Sequence, residues 1–188
     1  MTTASTQRGA NRVDPGQKAV SGGDDRPLEA ATHLGASARL VGRPLVLRYG
    51  FARCGLATCA EMTIDDRGLV HGSFAFGLAD YAAMLAVNDA NVVLGAASTR
   101  FLAPVRSGEY LVATANVHSG RGRKRVVHVD VCVGDRVVLR GVFDTFVLAK
   151  HVFDLPPFHR LVGAGANPRI DLLAETLFLK LPHHVGQL

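Results

Sequence analysis

Residues 73–88 run for sixteen positions with a single charge, Asp80. Ala, Leu, Met, Phe and Val flank that carboxylate on both sides, so a helix formed here has no polar stripe to turn towards water. A helix that is apolar all round is a buried one, and sixteen residues fall short of the roughly 20 needed to span a bilayer. The rest of the chain must therefore fold around this segment. That fold also has to accommodate Asp80, since burying an ionisable group costs free energy unless the group is paired or used. His71-Gly72 leads into the run, and Asn88-Asp89-Ala90-Asn91 leads out of it with residues that favour caps and turns.

The residues that follow have a period of two. Asn91 to Phe101 reads as a strand, ended by Ala103-Pro104 because proline interrupts a ladder. Leu111, Ala113, Ala115 and Val117 alternate with Tyr110, Thr114, Asn116 and His118 to give the next strand. Val127, Val129, Val131 and Val133 form a third stripe, and Val137, Leu139, Phe143 and Val147 line the last strand. Turns are expected at Ser119-Gly120-Arg121-Gly122 and at Gly134-Asp135. Upstream, residues 45–63 read as one long strand, bent or bulged at Gly50 and Gly55, with a turn at Asp65-Asp66-Arg67-Gly68. The expectation is an α+β domain in which the buried helix covers the apolar face of a four-stranded antiparallel meander.

Residues 1–36 hold too few large apolar side chains to offset chain entropy and are expected to be a disordered tail. The domain is placed at 37–152. Residues 153–188 form an extension, with Pro156-Pro157, Gly163-Ala164-Gly165, and a short helix from Asn167-Pro168 to about Lys180. The net charge of +5 sits largely in the tails and the run 121–125, and Trp is absent, so nucleic acid is not an expected partner. A local site for a phosphate-bearing ligand fits that basic run better. Three cysteines with no CxxC pair point to free thiols in a reducing cytoplasm, with no disulfide framework or structural zinc. The eight histidines lack ligand spacing, so no metal is expected. No apolar leader or membrane span is visible. Gly120-x-Gly122 and Gly163-x-Gly165 lack the strand–helix context of a dinucleotide loop.

Leu69-Val70-His71-Gly72-Ser73, with Leu78-Ala79-Asp80 ending nine residues after the histidine, resembles the hotdog-fold thioesterases of the phenylacetate-pathway type. Phe101-Leu102-Ala103-Pro104-Val105-Arg106-Ser107-Gly108-Glu109 resembles their second-strand signature, and Gly120-Arg121 their next turn. The likeness covers residues 45–150. The helix from Phe74 to Asn88 is also similar to that of flagellar virulence-associated hotdog proteins of ε-proteobacteria.

The resemblance implies an antiparallel sheet wrapped around a long central helix, a homodimer at least, and an acyl-CoA or similar acyl thioester as ligand, with no cofactor beyond it. It implies that the Gly72 N–H polarises the thioester carbonyl with help from the helix dipole. By the same likeness His71 anchors the turn, and Asp80 acts as nucleophile or as general base for water. Arg121, Arg123 and Lys124 take the role of phosphate contacts. The family often has an Asn six residues before the histidine, and Asp65 stands there in this chain. A serine that some relatives carry on the strand after the helix corresponds to Leu94 or Gly95.

Three functions follow from this set. The first is hydrolysis of the thioester. The second is a non-catalytic acyl-CoA-binding or regulatory module, and the third is a dehydratase-like site that pairs His71 with Asp80 across the subunit interface. Outside the resemblance, Asp80 also fits a structural acid that caps a neighbouring backbone group or pairs with His71 or Arg100, and the run 121–125 fits a solvated hairpin tip.

Overall fold

The computed structural model of the protein describes residues 28–155. The expected C-terminal helix and residues 1–27 of the expected tail lie outside the described residues.

In chain order the elements are a short helix α1 (Ala38–Val41), strands β1 (Arg43–Arg48) and β2 (Phe51–Ala57), the long helix α2 (Gly72–Val87), and strands β3 (Val92–Phe101), β4 (Tyr110–Arg121), β5 (Lys124–Val133) and β6 (Arg136–Val147). The helix coincides with the apolar run. It starts where the His71 ring caps it by accepting from the Ser73 N–H, and it stops at Asn88, whose backbone turns left-handed (φ 50°, ψ 46°). Leu78, Ala79, Ala82, Ala83 and Leu85 are all fully buried. The burial expected from the absence of a polar stripe is partial within one chain, since Ser73 is exposed and Phe74, Phe76, Gly77 and Asp80 are half-buried.

All strands lie in one antiparallel sheet of order β1-β2-β4-β5-β6-β3. Its concave face wraps α2 with Ala52, Cys54, Leu56, Leu111, Ala113, Ala115, Val127, Val129, Val131, Leu139 and Phe143, none of them more than 2% exposed. The alternations read in β4 and β5 are the ones that point inward.

Two expectations about the strands are corrected. Residues 45–63 are not one bent strand but the β1–β2 hairpin, folded at Tyr49-Gly50 because Gly50 takes a φ of +71°. The last four strands are not a consecutive meander. Only β4, β5 and β6 follow one another, while β3 lies beyond β6 and its chain crosses to β4 through residues 102–109. A period of two identifies the buried face of a strand and says nothing about which strand lies beside it. The β4–β5 turn also falls later than expected, at Gly122-Arg123, after a bulge between Val117 and Ser119.

Residues 28–36, assigned by composition to the tail, lie on the domain. The Leu28 N–H donates to Leu47 O at 3.0 Å. The Asn88 side chain grips the same segment from both sides, donating to Glu29 O at 2.9 Å and accepting from the Ala31 N–H at 2.8 Å. Thr32 is 5% exposed. No helix among the described residues is long and apolar enough to cross a membrane.

Asn88 therefore ends α2 and staples the incoming chain. Replacing it with Ala is expected to destabilise the protein by about 1–3 kcal/mol in a denaturant titration, since two backbone partners are orphaned and a Cβ-bearing residue without a polar side chain must hold the left-handed backbone. Asn88→Gly should fall between, relieving the backbone but not restoring the bonds. Both variants should become more sensitive to protease around residues 29–31.

Candidate active site

Short-range bonds assemble the start of α2. The Val70 N–H donates to Val105 O and the His71 N–H to Met62 O, each at 2.9 Å. The His71 Nδ1 lies 3.1 Å from the Ser73 N–H nitrogen and 2.7 Å from Ser73 Oγ. Accepting from a backbone amide requires Nδ1 to be unprotonated, so this nitrogen is occupied by the cap. Gly72 is the first helical residue. Its N–H is among the amides that a helix start leaves without an intrahelical acceptor, and the helix dipole adds partial positive charge there. The Phe101 ring, at the end of β3, stands 2.9 Å from where a Gly72 Cβ would lie, so glycine is what lets β3 close onto the helix.

Between them opens a pocket of about 310 Å³. Residues 70–72 and Ala75 line one side, residues 101–105 the other, and Val138 completes it. Residues 103–105 and Val138 were not expected as site residues. The one signal for them was Pro104, which marked an irregular connection beyond β3.

Asp80 is not part of this pocket. It follows Gly72 by eight residues, which is about 12 Å along the axis and about 80° around it. Its Oδ1 is buried and has no hydrogen-bond partner, and burial pushes its carboxyl up to about 6. Neither structural pairing forms. His71 is tied to Ser73, and Arg100 is exposed on β3 opposite Arg140. The same separation along α2 keeps His71 and Asp80 apart within the chain, so a pair of the two, as in the dehydratase reading, would need a second copy.

The other expected residues are scattered. Asp65 is exposed, and its Oδ1 accepts from the Arg67 and Leu69 N–H groups at 3.1 and 2.9 Å, shaping the turn ahead of His71. Leu94 packs on the core. Gly95 sits at the β3 bulge, where the Phe146 ring fills the space that a side chain would need. Arg121 and Arg123 are exposed at the β4–β5 tip, and Lys124 Nζ is paired with Asp144 Oδ2 at 2.7 Å. That tip adjoins the start of β3, through the Arg123–Val147 and Val147–Val92 pairings. Gly72 is at the other end of β3, about 30 Å away for a strand of this length. Within one chain, then, the turn, the acid and the cations occupy three places. Among the described residues no three His, Cys, Asp or Glu side chains converge as a metal site.

Residues 67–139 match the family model of the thioesterase superfamily. The solved structure of an uncharacterised protein, PH1136 from Pyrococcus horikoshii, is 50% identical with a TM-score of 0.68, covering 69% of this chain and 99% of that one. Cj0977, a sigma28-regulated virulence protein from Campylobacter jejuni, is 27% identical with a TM-score of 0.65, covering 66% and 89%. Over 121 residues the chain is 43% identical to a methylthioribose-1-phosphate isomerase of Aquifex aeolicus, covering 64% of this chain. It spans only 26% of that relative's length, and 42% of a transcription factor FapR of Thermoanaerobacter that it also matches, at 35% identity over 83 residues.

The buried carboxylate has a consequence for stability. The folded-state value of about 6 lies above the ordinary 3.8, so between these values the folded state holds a proton that the unfolded state has lost. Stability from this group is complete below about pH 4 and is lost as pH rises through 6. Asp80→Asn, neutral at every pH, should therefore raise Tm by a few degrees at pH 7.5 and leave it unchanged near pH 3.5. An Asn variant no more stable at pH 7.5 than the parent would show that the carboxylate is not under strain.

Proposed function

We propose that this chain, which belongs to the thioesterase superfamily and has its hotdog fold, hydrolyses an acyl-CoA or similar acyl thioester, with Asp80 as the reacting acid and Gly72 as the oxyanion donor. The observation that carries this reading is the buried, partnerless Asp80 Oδ1. The fold makes no use of that oxygen, while a carboxylate raised to about 6 is a stronger base than an ordinary one and still ionised at pH 7.

In the reaction, Asp80 either attacks the carbonyl carbon or takes a proton from a water that does so. Negative charge then develops on the carbonyl oxygen, where the Gly72 N–H and the helix start stabilise it. The C–S bond breaks and the sulfur leaves as a thiolate. Where water attacked, the proton that Asp80 took passes to it. Where Asp80 attacked, water then cleaves the acyl–Asp80 anhydride, supplies that proton and restores the carboxylate.

Both groups must stand about 3 Å from atoms of one carbonyl. The separation of about 12 Å along α2 prevents one chain from supplying both. We infer a homodimer in which Gly72 of one copy faces Asp80 of the other. An unpaired β3 edge supports this, with Ala96, Ala97 and Ser98 exposed and Phe101 and Leu102 more than half so. Antiparallel pairing of two β3 edges about a twofold axis would bring the start of one strand beside the end of the other. Arg121 and Arg123 would then approach the partner's Gly72 pocket, where they could hold the CoA phosphates.

Two inactive variants test the shared site. Asp80→Asn should lower kcat about a thousandfold. Gly72→Pro removes the N–H at a helix position that tolerates proline, after a residue whose φ of −62° and ψ of 133° suit one; it should lower kcat by about 10²–10³. Gly72→Ala keeps the N–H, meets the same Phe101 ring and serves as the control. Refolded together, the two inactive chains should regain about a quarter of wild-type activity, because half the dimers are mixed and each of those has one intact site. No recovery would rule out the shared arrangement.

The kcat profile of the wild type should rise with pH through about 6 as Asp80 ionises. One other reading is a non-catalytic acyl-CoA-binding or regulatory module; the likeness to a transcription factor supports its regulatory part alone. Acyl-CoA that raises Tm but is never cleaved, by wild type or Asp80→Asn, would establish that reading instead.

A further inference from the structure

Beyond Phe101, the pocket wall opposite Gly72 belongs to no helix or strand. It is the inner half of the connection 102–109, which carries the chain from β3 across to β4. Hydrogen bonds to its backbone tie this connection down at both ends. The Leu102 and Ala103 N–H groups donate to Val138 O at 2.8 and 3.4 Å, and the Thr58 hydroxyl, on a residue 6% exposed, lies 3.0 and 2.7 Å from Arg106 O and Glu109 O.

Between those ties stands Pro104, which has no N–H and offers only its carbonyl. One guanidinium reaches it from the start of β6. Arg136 Nη1 donates to Pro104 O at 2.5 Å, and its Nη2 donates to Glu109 Oε1 at 2.7 Å. The second oxygen of that carboxylate, Oε2, accepts from the Arg106 N–H at 2.7 Å. The Arg106 N–H first, and Arg136 after it, hold the Glu109 carboxyl below the usual range. Together, one arginine and one glutamate join the beginning, middle and end of the connection.

This bracing is poorly explained as a stability device. The two side chains are 41% and 27% exposed, and exposed ion pairs contribute little to folding free energy. Residues 105–107 are tied directly to the segment that enters α2, through the Val70 N–H to Val105 O and Ser107 N–H to Gly68 O bonds and the Leu69–Arg106 bridge. What the pair adds is a hold on Pro104, which none of these bonds reaches. We propose that Arg136 and Glu109 are positioning residues, which hold the 102–105 wall at the distance from Gly72 that the acyl group requires. Neither side chain lines the pocket, so their effect is on binding and not on bond breaking. The inference rests on the thioester reading of this pocket.

The test compares kcat, KM and Tm for wild type, Arg136→Ala, Glu109→Gln and Arg136→Lys with butyryl-CoA, alongside hydrogen exchange at the Leu102 and Ala103 amides. Arg136→Ala and Glu109→Gln should raise KM about tenfold while kcat changes less than about threefold. Exchange at the two amides should speed up in the same variants, and Tm should fall by only a few degrees. Arg136→Lys keeps the charge but cannot span both acceptors, and should lie between. A loss confined to Tm, or a fall in kcat at constant KM, overturns the proposal. If the wild type binds butyryl-CoA without cleaving it, the hydrolase reading fails and the positioning role is judged by Kd from calorimetry. A tenfold weakening in Arg136→Ala supports it, and an unchanged Kd or no binding by the wild type overturns it.

Discussion

The requirement that an apolar helix be covered organises the molecule: nine of the sixteen residues of α2 are buried, and the side that carries Ser73, Phe76, Gly77 and Asp80 is left partly open. A helix with no polar stripe cannot lie on one flat sheet and leave its back to water. The sheet instead curves around it, and the 28–36 segment crosses near its end. The helix is suited to this in its own sequence. Ala79, Ala82, Ala83 and Ala86 are small and fully or almost fully buried, while Leu111, Leu139 and Phe143 of the sheet bring the volume. Small residues on the helix and large ones on the strands interdigitate at the density that interiors demand, and the alanines also favour the helical backbone.

Asp80 is set against that requirement. The same covering that excludes water from its neighbours strips one of its oxygens of any partner. Folding alone gives no reason to retain a carboxylate there, whereas a reaction that needs a raised base does. The geometry of α2 then limits how such a base can be used. Residues eight apart on one helix cannot converge on one small group, so a reaction using both Asp80 and the helix start draws them from different copies, and the open β3 edge is where copies can meet.

The parts of this structure that could be read from the sequence are those in which a residue's environment depends on its near neighbours. The apolar run specified α2 to within a residue or two, and the stripes of β4 and β5 identified their inner faces. What escaped reading depends on distant partners. Asn88 reads as a helix stop, but its hold on the chain at Glu29 and Ala31 joins positions 59 and 57 residues apart. Gly50 reads as a bend because strand-like residues flank it on both sides, and only its positive φ distinguishes a hairpin from a kink. The place of β3 beside β6 has no local signature. Nor does the pocket wall, since Leu102, Ala103 and Val105 are ordinary apolar residues until the crossover sets them against Gly72.

The same distinction sorts the residues of the candidate site. Asp65 and Asp80 are both acids drawn into the site by the resemblance, but the turn amides occupy Asp65 while Asp80 has an oxygen that nothing satisfies. Lys124 and Arg121 are neighbours in one basic run, but Asp144 holds the lysine and the arginine is exposed. The imidazole of His71 is engaged by Ser73, whereas the N–H of Gly72 has no intrahelical acceptor. A native fold satisfies nearly all of its buried polar groups, so a group whose bonding capacity remains open is available for a ligand. By that criterion the site contracts from nine named residues to the Gly72 turn, the Asp80 carboxylate and the free arginines of the β4–β5 tip. No two of these three lie together in one chain, which is why the assembly of copies, and not any single residue, is the central question about this protein's chemistry.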